Sequence, residues 1–122
     1  MERTLVMTAA ILGALGVAAG AFGAHGLREQ LSPEQLRAWN TGADYHLLHA
    51  IALLGVAWAR TRWPGAISAV AAAAMVLGIV VFSGSLYVLA LSGMRWLGMI
   101  TPIGGLAFIV GWLALALAAW RG

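Results

Sequence analysis

Four long apolar stretches alternate with short polar segments along the chain, and this pattern predicts four membrane-spanning helices. A helix needs roughly 20 apolar residues to cross about 30 Å of hydrocarbon. The stretches that approach or exceed this length cover residues 4–24, 44–59, 66–91 and 96–120. They predict a single membrane domain, residues 1–122, built as an all-α integral membrane protein with a four-transmembrane-helix up-down bundle.

The longest polar segment lies between the first two stretches. Ser32, Pro33 and Gln35 have the spacing of a helix start, with serine as the N-cap and glutamine completing a capping box. The apolar residues that follow share one face. We therefore predict a short amphipathic interfacial helix between helices 1 and 2, at about residues 33–40, which ends at Asn40-Thr41-Gly42.

The composition indicates that lipid is the main solvent of these side chains. The chain is 62% hydrophobic and 9% charged, whereas soluble domains have roughly 25% charged residues. The net charge of +3 comes from seven arginines. Because they stand singly between apolar stretches, they predict contacts with lipid headgroups and no nucleic acid partner. The absence of cysteine excludes disulfides and thiolate chemistry.

The arginines also bear on orientation. Four spans place both termini on one side of the membrane, and slightly more arginines fall on that side, which weakly predicts cytoplasmic termini. The side of the termini has Arg3, Arg60, Arg62 and Arg121, and the other side has Arg28, Arg37 and Arg95. A cleaved signal peptide is the alternative for the first span, but its apolar run exceeds the usual 7–15 residues of such a peptide.

Small residues predict where helices approach each other closely. They form one face of the first span, interrupt the third span and follow a proline near the start of the fourth. That proline either kinks the fourth helix or begins it, with Thr101 as the N-cap. The predicted packing positions are Gly13, Gly16, Gly20, Gly23, Ser83, Gly84, Ser85, Pro102, Gly104 and Gly105.

Ionisable groups within membrane segments are the candidates for chemistry, because their burial is costly. If the first two spans are antiparallel and the second begins near Asp44, several polar groups meet at one membrane surface. We predict a pocket there for a lipid-like or quinone-like ligand, formed by His25, Asp44, Tyr45, His49, Arg95 and Thr101. His25, His46 and His49 are the candidate ligands if a metal or haem binds. The simpler interpretation is that these histidines hydrogen-bond a neighbouring helix.

Three segments resemble one known family when taken together. They are residues 20–27 (GAFGAHGL), residues 45–50 (YHLLHA), and the stretch that runs from residues 82–87 (FSGSLY) to residues 101–108 (TPIGGLAF). The chain resembles the bacterial small membrane proteins of the domain-of-unknown-function 423 family, which are similar to eukaryotic transmembrane protein 256. The resemblance implies four membrane helices in the cytoplasmic (inner) membrane and no assigned activity. In the family pattern glutamine often stands at the position of His46, which leaves His25 and His49 as the better-matched histidines.

Three functions remain open from the sequence. The leading prediction is a non-enzymatic membrane protein that binds a lipid or a quinone-like molecule, or serves as a scaffold in a homo-oligomer or larger membrane complex. The first alternative is a redox subunit whose histidines bind haem or metal, and the second is a transporter of protons or small solutes. No cofactor follows from the residues, and charge-free third and fourth spans argue against ion conduction.

Overall fold

The chain folds entirely into helices joined by short turns. The computed structural model describes residues 1–122. The helices are α1 (Glu2–Ala24), α2 (Pro33–Arg62), α3 (Ala66–Gly78), α4 (Gly84–Ser92) and α5 (Thr101–Arg121), with a π-helical segment (Ile79–Ser83) joining α3 to α4 and a 3₁₀ turn (Arg95–Met99) before α5.

Helix α2 is one continuous helix and not a short helix followed by a span. The predicted start is confirmed: Ser32 Oγ accepts the Gln35 N–H at 3.1 Å, and the Ser32 N–H donates to Gln35 Oε1 at 3.1 Å. The predicted break at Asn40-Thr41-Gly42 is wrong, because the helix passes through these residues to Arg62. Gly42 packs there against Ser83 and Tyr87. This tertiary contact outweighs the low helix propensity of the three residues.

Helices α1 and α2 are antiparallel along their length. At one end Gly23 packs against Trp39, whose indole N–H also donates to the Ala19 carbonyl at 2.8 Å. Near the middle, Gly16 packs against His46. Small residues at these points let the two backbones approach closely, as is usual between membrane helices.

Helix α5 packs against α3 and the π segment through three glycines. Gly104 lies against the backbone of Phe82, Gly78 lies under the ring of Phe108, and Gly111 contacts Met75. A π segment widens the helix locally by one residue. Here it presents the Phe82 backbone to Gly104, so no side chain separates the two helices.

The helices pack side by side in an open row and do not close into a four-helix bundle. Helix α1 packs mainly against α2, α2 also packs against α3 and α4, and α5 packs mainly against α3. Helices α2 and α5 make little direct contact. Two grooves result, one between α1 and α3 and one between α2 and α5.

Three segments are long and apolar enough to cross a membrane: Glu2–Ala24, Ala66–Ser92 and Arg95–Arg121. Helix α2 is not among them, although it is the longest helix. Its sequence includes Asp44, His46 and His49 together with charged residues near both ends, which lower its mean hydropathy.

The predicted packing positions fall into two groups. Gly16, Gly23 and Gly104 lie at close contacts, and Gly105 is in ordinary contact with the Phe82 ring at 3.7 Å. Pro102 is in the first turn of α5 and begins that helix, whose N-cap is Ile100 and not Thr101. By contrast, no neighbouring atom lies within 4 Å of a Cβ built at Gly13, Gly20 or Gly84. These three positions therefore do not mediate close contacts between helices.

The serines of the third stretch bond to other helices. Ser83 Oγ is fully buried and donates to the Gly42 carbonyl in α2 at 2.7 Å. Ser85 Oγ lies 2.6 Å from Thr101 Oγ1 in α5. These bonds join the π segment and α4 to both neighbouring helices.

Candidate functional site

The polar residues predicted to meet at one membrane surface lie at different depths. His25 is exposed at the end of α1, close to the level where Gly23 meets Trp39. His49 is ten residues further along α2, which is about 15 Å at 1.5 Å per residue. The structure does not bring His25 and His49 together, because α2 begins at Pro33 and not near Asp44. His49 therefore lies more than two helical turns along α2 from the level of His25.

The remaining predicted ligand-binding residues are also dispersed. Asp44 is exposed on α2 and makes no hydrogen bond or ion pair. Arg95 is exposed in the 3₁₀ turn, beside a small cavity that also contains Glu34. The Thr101 hydroxyl is bonded to Ser85 and, at 3.3 Å, to the Leu97 carbonyl. None of the three faces His49.

His49 lies near the midpoint of the membrane segments. His46 is level with Gly16 of α1, and His49 is about one turn deeper, level with Gly13. Gly13 is close to the middle of the uncharged run from Thr4 to Gly23. An ionisable side chain at this depth must find partners within the protein.

Both ring nitrogens of His49 have such partners. Nδ1 donates to the Tyr45 carbonyl at 2.7 Å, since a carbonyl can only accept. Nε2 accepts the indole N–H of Trp112 in α5 at 3.1 Å. The ring stacks on Phe108 with centroids 3.6 Å apart. His49 is therefore a neutral, fully bonded link between α2 and α5.

His46, about 60° around α2 from His49, faces α1 and α4 instead of α5. Its Nδ1 lies 2.8 Å from the Tyr87 hydroxyl. Its Nε2 is buried and has no hydrogen-bond partner. The ring as a whole is buried between α1 and α4.

The structure does not bring His25, His46 and His49 together. No group of three His, Asp or Glu side chains is close enough to hold one metal ion. His49 also has no free lone pair, because its Nε2 accepts from Trp112. The His-x-x-His spacing brings the two rings to different helices, so it does not form a ligand pair.

The largest concave feature is the groove between α2 and α5, which includes His49. It has a volume of about 570 Å³ and opens on the side of the molecule, between the two helices. Tyr45 and His49 form one wall, Phe82 forms the floor, and Pro102 and Trp112 belong to the other wall. Apart from the polar groups of Tyr45, His49 and Trp112, its lining is apolar.

A second cavity of about 390 Å³ continues this groove toward the other end of α2. Trp112 lines both cavities, and Trp58 and Trp63 surround the far end. From Pro102 to Ala119 the two cavities follow α5 for about 25 Å. We call the pair together the α2–α5 groove. It covers most of the thickness of a hydrocarbon layer of about 30 Å.

The sequence prediction did not include Phe82, Phe108 or Trp112. The available signal was the four-residue spacing of Phe108 and Trp112, which places two aromatic rings on one face of α5. In a membrane helix such residues are also expected simply to face lipid. Their role in the groove depends on the position of α2, which the sequence misplaced.

The protein is thus an all-helical membrane protein with a lateral apolar groove. It belongs to the family described as "Protein of unknown function (DUF423)", whose profile matches residues 19–105. The resemblance found in the sequence is therefore confirmed.

Curated relatives match over nearly the whole chain. The UPF0382 membrane protein YwdK of Bacillus subtilis is 42% identical over 118 residues, which is 96% of each chain. The UPF0382 inner membrane protein YgdD of Escherichia coli K12 is 40% identical over 120 residues, 98% of this chain and 92% of the relative. A UPF0382 membrane protein of Staphylococcus saprophyticus is 38% identical over 125 residues, 98% of each chain. No solved structure matches.

The names of these relatives state a location and no activity. They confirm the prediction of an integral membrane protein, and the name of the Escherichia coli relative agrees with the predicted inner membrane. What the groove binds has to be argued from its own chemistry.

Proposed function

We propose that this protein is a non-enzymatic lipid-binding or accessory subunit whose ligand lies in the α2–α5 groove. The observation that supports this proposal is the groove itself, which is apolar and open to the side. Its length of about 25 Å is close to the thickness of a hydrocarbon layer, about 30 Å. An elongated hydrocarbon or isoprenoid chain fits its shape, since small-molecule sites are mostly apolar with few polar groups.

The proposal includes a four-span topology in which α2 also crosses the membrane. Helix α2 is packed between α1 and the segment Ala66–Ser92, both of which are apolar enough to span. Both ring nitrogens of His49 and the main-chain carbonyl of Gly42 are bonded to other groups of the protein. These bonds offset part of the cost of placing the polar residues of α2 in the hydrocarbon layer.

Filling the groove is the direct test. A Cβ at Gly105 in the upper half meets only the Phe82 ring at 3.7 Å, and a Cβ at Gly55 in the lower half meets no atom within 4 Å. Gly105→Leu and Gly55→Leu should therefore fold while their side chains occupy the groove. Gly20→Leu on α1 is the matched control, because it adds the same side chain in open space outside the groove.

Native mass spectrometry of gently extracted protein measures the outcome. We expect retained lipid on the unmodified protein and on Gly20→Leu, and at least a fivefold loss of it on either groove variant. A bare unmodified protein, or equal lipid retention by all four proteins, would contradict the proposal. Size-exclusion profiles establish that the variants are folded, and the same spectra report any homo-oligomer.

A further inference from the structure

A third cavity lies where the α2–α5 groove reaches the end of α2. It has a volume of about 290 Å³ and includes Arg62 and Arg121. Trp63 lines both this cavity and the lower half of the groove. A molecule in the groove can therefore extend past Trp63 into a site with two guanidinium groups.

These two arginines have no counterion in the protein. Neither Arg62 nor Arg121 makes a hydrogen bond or an ion pair with a side chain. The nearby acidic side chain is Glu2, whose carboxylate lies 3.9 Å from Arg60 Nε. At the opposite end, three arginines are balanced by three carboxylates, so the net charge of +3 belongs to the Arg62 end.

Backbone donors line the same cavity. The first residues of α3, including Ala66 and Ser68, form part of its wall. Their N–H groups have no acceptor within the helix, because the first helical bond is donated by the N–H of Ala69. Arg60 fixes this turn, because its Nη1 donates to the Gly65 carbonyl at 3.1 Å and to Ser68 Oγ at 3.0 Å. Arginine pairs and free backbone N–H groups together favour a phosphate.

The cavity at the opposite end is unlike this one. It contains Glu34 beside Arg95, its volume is about 160 Å³, and it shares no residue with the groove. A carboxylate at the mouth repels an anion. The direction of a bound lipid is therefore fixed by charge, with its headgroup at the α2–α3 turn.

We infer that the occupant of the groove is an anionic phosphate-bearing lipid, with its phosphate between Arg62 and Arg121 and its chain between α2 and α5. This inference rests on the proposed function and adds the headgroup chemistry and the orientation. It excludes a quinone as the best-fitting occupant, since a quinone leaves both guanidinium groups without a partner.

The test uses the whole protein in nanodiscs that contain equal amounts of phosphatidylglycerol and phosphatidylcholine with identical acyl chains. Native mass spectrometry counts the lipids of each class that stay bound. One arginine near an anionic headgroup contributes about fivefold in affinity. We expect the double variant Arg62→Gln/Arg121→Gln to lose the phosphatidylglycerol preference by about twentyfold. The double variant Arg28→Gln/Arg37→Gln, which lowers the net charge equally at the other end, should keep it.

The outcomes separate this inference from the proposed function. Equal retention of both lipids by the unmodified protein overturns the headgroup assignment and leaves groove binding intact. Equal effects of the two double variants also overturn it, because they indicate a nonspecific charge effect. If Gly55→Leu keeps the full preference while inorganic phosphate at constant ionic strength abolishes it, the cavity binds a free anion and the joined site is refuted.

Discussion

The contact between Gly104 and Phe82 yields the sharpest prediction about this fold. A Cβ at Gly104 would overlap with Phe82 N and lie 2.7 Å from Phe82 Cα, whereas ordinary contact begins at 3.4 Å. Backbone atoms cannot rotate away, so Gly104→Ala must push α5 from the π segment by about 1 Å. Overpacking of this kind costs about 1–3 kcal/mol. Because that shift also loosens the contact between Gly78 and Phe108, we expect about 2 kcal/mol of net destabilisation, after about 1 kcal/mol gained in helix propensity.

Gly105→Ala is a control one residue away in the same helix. Its Cβ would be in ordinary contact with the Phe82 ring at 3.7 Å, so the variant should be neutral or up to about 1 kcal/mol more stable. Unfolding in mixed micelles with rising dodecyl sulfate, followed by circular dichroism, measures both free energies. If Gly104→Ala and Gly105→Ala unfold at the same detergent fraction, the proposed backbone contact between α5 and the π segment is refuted.

Two further predictions concern the histidine link and the topology. His49→Phe keeps the stacking on Phe108 but leaves the Trp112 N–H without an acceptor. We therefore expect the free energy of unfolding to fall by about 1–2 kcal/mol in the same assay. An unchanged free energy of unfolding would contradict the role of this bond. The chain lacks cysteine, so Gly122→Cys and Gln30→Cys can each be labelled with a membrane-impermeant maleimide. We expect labelling of Gln30→Cys in intact cells and of Gly122→Cys only in inverted vesicles, whereas labelling of both from one side would exclude four crossings.

The helical class and the start of α2 followed from local patterns. Long apolar runs have few alternatives to helices in a membrane, and the capping box of Ser32 and Gln35 depends on neighbouring residues alone. The continuation of α2 through Gly42 was not predictable in this way. It depends on the distant Ser83 and Tyr87, which pack on that glycine.

The π segment leaves no periodic signal in the sequence. Residues 79–83 are apolar apart from Ser83, as expected of any span. Their wider geometry accompanies two contacts with separate helices, namely Phe82 with Gly104 and Ser83 with Gly42. Prediction would require knowing which helices are neighbours, and the open row of helices is not encoded in loop lengths.

Part of the groove could be found from the sequence. Tyr45 and His49 were selected because polar groups in a membrane segment need partners. Phe108 and Trp112 were not, since aromatic residues in an apolar helix also fit a lipid-facing surface. The prediction placed His25, Arg95 and Thr101 near His49 because it assumed that α2 begins near Asp44, whereas the helix begins at Pro33.

In the proposed four-span topology, the length of α2 makes the two sides of the protein unequal in height. Its 30 residues measure about 45 Å, whereas the hydrocarbon layer is about 30 Å thick. The excess of about 15 Å falls on the Pro33 side, since the other end closes in the short turn at Pro64-Gly65. On that side the protein presents a protruding surface to water-soluble macromolecules, and Leu27 and Trp39 are buried beneath it. On the opposite side it presents a nearly flat surface rich in arginine.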